Sequence, residues 1–481
     1  MKIVFVNPPL TWEERYNVKR QSGGNTPPLG LACLAAVVRQ KGYEAAIIDA
    51  AVGKLSLAET AQRILESHPD IAGFTSATIA IDNVAKVMEL LHEKNPSLKM
   101  VVGGAHITAV PEETFKRYGV ITLAVLGEGE ATIVDLLDFF AGKSLYHSLN
   151  EISGLVLRQD GCVVRTPRRE RIKELDTLPY PAWGLLPDIA KYYVPPVHTI
   201  KRFPAALLVT SRGCPGQCIF CDRSVFGNWC SFYSAGYVIG MVRELHSRYG
   251  VKEIQFRDDN FVVFKKRLVE FCRMIIAERI DIVWSCAGRV DDVDTPTLRL
   301  MKQAGCWQIW YGIESGSDEV LKADKKNSTV AQAEEAVRLT DEAGISACGF
   351  FIVGHPKETE QDIKKTIDMI LRLRLDDFHI SYMVPFPGSE LYLRAEEFGV
   401  FRNNWKNLSG WTSRVFIPYG LTQEALEKYS KEAFFKFYMR PRIILQYLLR
   451  VAASRHVRLY FDGFLAWLEW VTKRNRYQFA R

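Results

Sequence analysis

The sequence predicts an α/β protein in three stretches: a doubly wound parallel sheet, an open partial barrel of six β/α units, and a mostly helical tail. Three observations predict this. Short apolar runs alternate with helix-like segments in two separate series, residues 1–142 and 201–400. Small or polar residues follow almost every run. The alternation lapses over 143–200 and again over 401–481. A chain of 481 residues is also too long for one compact core.

In the first series the strand-like runs are Lys2–Val6, Ala45–Asp49, Ile71–Thr75, Met100–Gly103 and Ile121–Leu126. Helical patterns fill Pro28–Lys41, Leu57–His68, Ile81–Lys94, Glu112–Arg117 and a last stretch ending at Phe140. Five strands alternating with helices imply a parallel sheet covered on both faces. Ligands of such sheets bind beyond the carboxyl ends of the strands. There the sequence places Asn7-Pro8-Pro9, Asp49, Ser76-Ala77-Thr78, Gly103-Gly104-Ala105-His106-Ile107-Thr108 and Gly127-Glu128-Gly129-Glu130. Five such loops on one edge make a candidate binding surface.

Residues 143–200 read as a linker. Ile152–Leu157 and Val163–Thr166 flank Asp160-Gly161, a hairpin signal. Leu178-Pro179-Tyr180-Pro181-Ala182-Trp183 is extended because proline fixes the backbone. The second series has strand-like runs at Ala205–Thr210, Glu253–Arg257, Ile282–Cys286, Gln308–Ile313, Ser346–Val353 and Phe378–Val384. Six units are fewer than the eight of a closed barrel, so an open barrel is expected, its site again at the strand ends.

The tail is helical, aromatic and basic. Between Arg440 and Arg481 nine Lys/Arg face two Asp/Glu, which accounts for the whole formal charge of +7. Phe461, Phe464, Leu465, Trp467, Leu468 and Trp470 lie among Arg455, Arg458, Lys473, Arg474 and Arg476. Packing on the barrel is the plainer expectation; contact with an acidic membrane surface is the other. Nothing reads as a nucleic-acid signature. No signal peptide and no run of ~18 apolar residues is visible, so a cytoplasmic protein is expected, at most peripheral at the membrane's inner face.

Ten cysteines are present. Cys33, Cys162, Cys230, Cys272, Cys286, Cys306 and Cys348 are scattered singly and read as small buried hydrophobes, with Cys230 and Cys286 near the expected site. Cys214, Cys218 and Cys221 are different. Their C-x3-C-x2-C spacing follows the first strand of the second series. Three thiolates on one short loop can hold three irons of a cubane cluster and leave the fourth open. Structural zinc asks for four ligands, usually in C-x2-C pairs, and no second pair stands nearby.

This motif, after the first strand of a partial barrel, resembles the radical S-adenosylmethionine (SAM) superfamily. The resemblance implies a 4Fe-4S cluster on the three cysteines whose open iron chelates SAM. It extends to residues at the other strand ends. Phe220, inside the cysteine loop, Asp258, Asp259 and Asn260, Ser285 and Arg289, Glu314 and Ser315 in Gly312-Ile313-Glu314-Ser315-Gly316-Ser317, and Gly354 match positions where relatives contact SAM. Val384-Pro385-Phe386-Pro387-Gly388-Ser389 fits the sixth strand end.

The first series, with Pro27-Pro28-Leu29-Gly30-Leu31-Ala32 and the Leu178–Trp183 linker, resembles the Rossmann-like cobalamin-binding domain of the cobalamin-dependent radical SAM subfamily. The implied cobalamin contacts are Asn7, Pro8, Ser76, Thr78, Gly103, Gly104, His106, Gly127, Glu128 and Gly129. No histidine fits Asp-x-His-x-x-Gly, so cobalt is expected to lack a histidine ligand, with His106 packing on the corrin. No catalytic side chain is assigned.

The resemblance implies a methyltransferase acting on an unactivated carbon, with flavodoxin or ferredoxin as electron donor; the basic aromatic tail points to a small or lipid-like substrate. The alternative is a cyclase or rearrangement enzyme of the anaerobic magnesium-protoporphyrin type. A methylthiotransferase would carry a second cysteine triad, and the first domain holds only Cys33. A cluster-bearing sensor that leaves SAM intact is the non-catalytic option.

Overall fold

Alternate residues of the first strand serve two cores, which is why it must lie inside a sheet covered on both sides. In a computed structural model that describes all residues except 17–23, 197–198, 411–413, 454–456, 458–460, 462 and 466–481, β1 (Lys2–Asn7) sends Ile3 and Phe5 to one face and Val4 and Val6 to the other. On the first face helices Leu29–Gln40 and Glu130–Phe140 supply Leu31, Ala35, Val38, Ile133 and Leu136. On the second, helices Leu57–Glu66 and Ile81–Lys94 supply Ile64, Val84, Val87 and Met88. A Ser56–Glu59 capping box starts the first of these.

The other strands are β2 (Glu44–Asp49), β3 (Ile71–Thr75), β4 (Lys99–Gly103), β5 (Leu123–Val125), β6 (Leu155–Gln159) and β7 (Cys162–Arg165), in the order β2-β1-β3-β4-β5-β6-β7. Neighbours from β2 through β5 are parallel. The hairpin expected in the linker is part of this sheet. Its β6 pairs antiparallel with β5 through Leu123–Leu157 and Val125–Leu155, extending the edge. The run after β4, expected as a loop, folds into the helix Ala105–Ala109, entered through Gly104 at φ 107°. A Cβ there would stand 2.9 Å from the backbone of Ser76, so only glycine fits.

The second sheet is β8 (Ala205–Leu208), β11 (Glu253–Phe256), β12 (Val283–Gly288), β13 (Cys306–Glu314), β14 (Ser346–Val353) and β15 (Asp377–Tyr382). All neighbours are parallel and consecutive, with β15 and β8 at the two edges. Between β8 and β11 a short antiparallel pair, β9 (Ser211–Arg212) and β10 (Ser231–Phe232), brackets the cysteine loop. Outward residues such as Phe256, Trp284, Tyr311 and Phe351 form the largest core with the surrounding helices. Cys286 and Cys306 lie in that outer layer, and Cys162 is exposed rather than buried.

Helix Gln423–Tyr438 covers the β15 edge, with Phe434 and Phe437 centred 4.7 and 4.6 Å from the Phe378 ring. Helix Pro441–Ala453 follows with Leu445, Leu448 and Leu449 exposed. Phe461 and Phe464 are exposed too; Arg455, Arg458, Trp467, Leu468, Trp470, Lys473, Arg474 and Arg476 lie outside the described residues. Among the described residues no helix is long and apolar enough to cross a membrane.

Candidate active site

The cysteine loop leaves β9 through Gly213, whose φ is 83° and whose Cβ, were there one, would sit 2.2 Å from the Trp229 carbonyl oxygen. The Gly216 N–H points to Cys214 Sγ at 3.4 Å. Ile219 fastens the loop across the mouth of the half-barrel. Its N–H donates to the Asp324 carbonyl at 3.0 Å and its carbonyl accepts from the Leu391 N–H at 2.8 Å. The neighbouring Cys221 thiol, together with Lys326 and Arg289, lowers the Cys218 thiol to about 7 against the cost of burial. Burial raises Cys214. Among the described residues no three Cys, His, Asp or Glu side chains converge on a single ion; a cubane instead takes one sulfur at each of three corners. A glycine that admits no side chain, a fixed loop and two cations beside the thiols fit an anionic cluster.

The expected SAM residues divide in two. Asp259 stands open in the mouth beside Cys214 with no hydrogen-bond partner among the described residues, its carboxyl raised by the surrounding protein. Arg289 reaches the cysteine loop, its guanidinium held by Asp291 at 2.8 Å and the Lys326 carbonyl at 2.9 Å. Glu314, at φ 67° where β13 bulges, takes Lys326 Nζ at 2.7 Å. Phe220 packs against the buried cluster of Met383, Leu391, Ala395 and Phe416.

The others hold the frame. Asp258 is buried and accepts from Thr210 N–H at 2.9 Å and from the Ser211 hydroxyl. Asn260 ties Asp292 at 2.6 Å to the Arg289 N–H at 3.3 Å. Ser315 bonds Thr366 at 3.3 Å. The Gly354 N–H donates to Glu358 at 2.6 Å. Ser285 lies below the rim, in register with Gln255 and Gln308.

On the first sheet's edge, Gly103, Gly104, Gly127, Glu128 and Gly129 line a cavity of about 440 Å³ with Phe5, Gly73, Leu31 and Ile133. Gly73 and Gly103, without side chains, let it reach into the sheet. Asn7 and Pro8 line a smaller neighbouring cavity of about 220 Å³. Ser76 is buried, its hydroxyl donating to the Gly103 carbonyl at 2.9 Å. His106 is not on this surface. It is 1% exposed, bonded through Nδ1 to Thr78 Oγ1 and through Nε2 to Thr114 Oγ1, both at 3.2 Å, with its ring 4.4 Å from that of Trp405. Burial, with Arg117 nearby, lowers its pKa to about 3. Both its nitrogens are thus engaged in the interior of the domain.

Sequence reasoning missed Arg212. It stands two residues before Cys214 and joins the halves of the site, donating to Glu128 Oε1 at 2.6 Å and Glu130 Oε1 at 2.5 Å. All three side chains are nearly buried. The larger cavity therefore runs on past Arg212 and Gly213 to Arg257 and Asp259 inside the half-barrel. Charged residues at Glu128, Glu130 and Arg212, each beside a glycine of the site, were the available signal.

A cysteine loop at the mouth of a six-stranded half-barrel, clamped to a glycine-lined α/β sheet edge, defines a radical SAM enzyme with a cobalamin-binding partner domain. Known proteins agree. The radical SAM superfamily matches residues 208–370 and the B12 binding domain residues 18–137. An uncharacterized methyltransferase of Pyrococcus horikoshii is 32% identical over 476 residues, covering 96% of this chain and 99% of the relative. The anaerobic magnesium-protoporphyrin IX monomethyl ester cyclase of Rubrivivax gelatinosus is 28% identical over 396 residues, 82% of this chain and 69% of its own. The cobalamin-dependent radical enzyme OxsB, solved with aqua-cobalamin, shares the fold at a TM-score of 0.74 and 19% identity, over 96% of this chain and 72% of that one. TsrM from Kitasatospora setae does so at 0.69 and 16%, over 92% and 90%. The chain belongs to the cobalamin-dependent radical SAM enzymes, and its cofactors are a 4Fe-4S cluster, SAM and cobalamin.

Proposed function

We propose that this enzyme replaces a hydrogen on an unactivated carbon by a methyl group. The single observation supporting this is the cavity that joins the first sheet's glycine edge to Arg257 and Asp259 in the barrel mouth, because methyl donor and radical source must share one substrate. When bound, the cluster with SAM supplies hydrogen-atom abstraction and cobalamin supplies the methyl group. The residues position and shield. Cys214, Cys218 and Cys221 hold the cluster, with the charge of Lys326 and Arg289 beside it. Asp259 takes the SAM ammonium, a charge-assisted contact. The slot over Gly73 and Gly103 would take the cobalamin tail, with His106 held inside the domain by Thr78 and Thr114. Arg212 fixes the distance between the two halves, while Val225, Phe226 and Tyr233 keep the cavity wall apolar.

The test is anaerobic reconstitution with iron, sulfide and cobalamin, then turnover of methyl-labelled SAM with flavodoxin or ferredoxin as donor. Labelled product is expected. Deoxyadenosine without labelled product would favour the cyclase reading, which the Rubrivivax relative keeps open. Alanine at Cys214, Cys218 or Cys221 is expected to abolish the cluster absorbance, and Cys162→Ser to leave it. We also infer peripheral membrane contact through the exposed Leu445, Leu448 and Leu449 and the basic tail. Equal recovery of the full chain and a chain ending at Met439 with anionic liposomes would end that idea.

A further inference from the structure

We infer that the lumen of the half-barrel is the substrate chamber and that it takes a planar, conjugated molecule carrying an acidic group. This deepens the function proposed above and rests on it.

Exposure alternates along the strands in a telling way. Inward-facing Ala287, Phe350, His379 and Ser381 are partly open to solvent, while their neighbours Cys286, Phe351 and Ile380 are buried. The lumen is therefore open toward the carboxyl ends of the strands, while inward residues deeper in it, such as Ser285, Gln308 and Cys348, are buried. Its wall is flat and aromatic on one side. Trp310 on β13 stacks on Phe350 on β14 with centroids 4.8 Å apart, and the His379 ring of β15 meets Phe350 edge-on at 6.4 Å. Trp310 is held in place by its indole N–H, which donates to Gln308 Oε1 at 2.9 Å. The buried Nε2 of Gln308 has no partner among the described residues, so a donor is in reserve beneath the indole. Such a wall recognises a planar partner by stacking.

The other side carries Arg257. Its guanidinium donates to Gln255 Oε1 at 2.7 Å and makes no ion pair among the described residues, yet it opens into the cavity that leads to the first sheet. An exposed guanidinium kept without a carboxylate at the edge of a cavity is suited to bind a carboxylate or phosphate in two-pronged fashion. Arg257 and the Trp310–Phe350 stack would then set which substrate enters.

The probe is 2-naphthoate, titrated calorimetrically under anaerobic conditions into the reconstituted full chain. It is expected to bind at least tenfold more tightly than 2-naphthalenemethanol, which lacks the acid, and than cyclohexanecarboxylate, which lacks the plane. Arg257→Met should remove the preference for the acid. Phe350→Leu should weaken naphthoate severalfold; being half-open, this site tolerates the change if Trp310→Leu does not fold. Equal binding of acid and alcohol, or an unaltered preference in Arg257→Met, overturns the inference. SAM cleavage is measured on the same preparations. Cleavage without naphthoate selectivity sinks this inference alone, whereas absence of cleavage sinks the proposed function.

Discussion

Replacing Arg212 by methionine removes the guanidinium that joins the cobalamin-binding half to the cysteine loop. The side chains of Arg212, Glu128 and Glu130 are 12%, 9% and 7% exposed, so the change leaves two carboxylates in a nearly dry interface. Breaking such a buried pair costs about 3–5 kcal/mol. At about 1.4 kcal/mol per factor of ten, the contact between the halves should open from about a hundredfold to a few thousandfold more often. Amide hydrogen exchange reads this locally, at Gly127–Glu130 and Ser211–Gly213. Adding Glu128→Gln and Glu130→Gln removes the stranded charges, and protection should partly return. A change under threefold at both segments in Arg212→Met, or a triple variant no better protected than the single one, would refute the reasoning.

Gly213→Ala should lower iron content and melting temperature, costing more than about 1 kcal/mol, because Cβ meets the Trp229 carbonyl at 2.2 Å. Gly227→Ala, with φ 65° but open space, should cost less. Burial opposes protonation of His355, yet the Asp324 carboxylate, aided by Glu358 and Glu314, raises it to about 9. Its pairing thus stabilises fully below its ordinary value near 6.5 and is lost as pH rises through 9, worth on the order of 3 kcal/mol. Thermal melts from pH 6 to 9.5 should fall, and His355→Gln should flatten the slope; an unchanged slope contradicts the pairing. His106→Gln should destabilise by about 1–3 kcal/mol and leave the EPR spectrum of bound cob(II)alamin unaltered, and a changed nitrogen hyperfine pattern would contradict the expectation that His106 is no cobalt ligand.

The strands were legible because buried parallel strands are short apolar runs with polar stops, as at Ile71–Thr75. The place of the Leu155–Arg165 hairpin was not, because a turn signal says that two strands pair and nothing about the three-residue β5 they join. The cysteine loop was legible from spacing alone. Asp258 and Asp259 were indistinguishable, although consecutive residues leave a strand on opposite sides, one into Thr210 and Ser211 and the other into the mouth. His106 sat among convincing loop residues, but its partners Thr78, Thr114 and Trp405 come from distant segments. Arg257 could have been found by counting inward positions from Glu253.

Ile219 has a consequence for iron loading. Its two backbone bonds carry the chain from the first strand's end to segments beyond the fourth and sixth, so a sheet that never closes by strand pairing has a rim laced shut by one residue. The thiols are thus moored to two distant loops as well as to their own, and iron content should respond to changes in either of those loops.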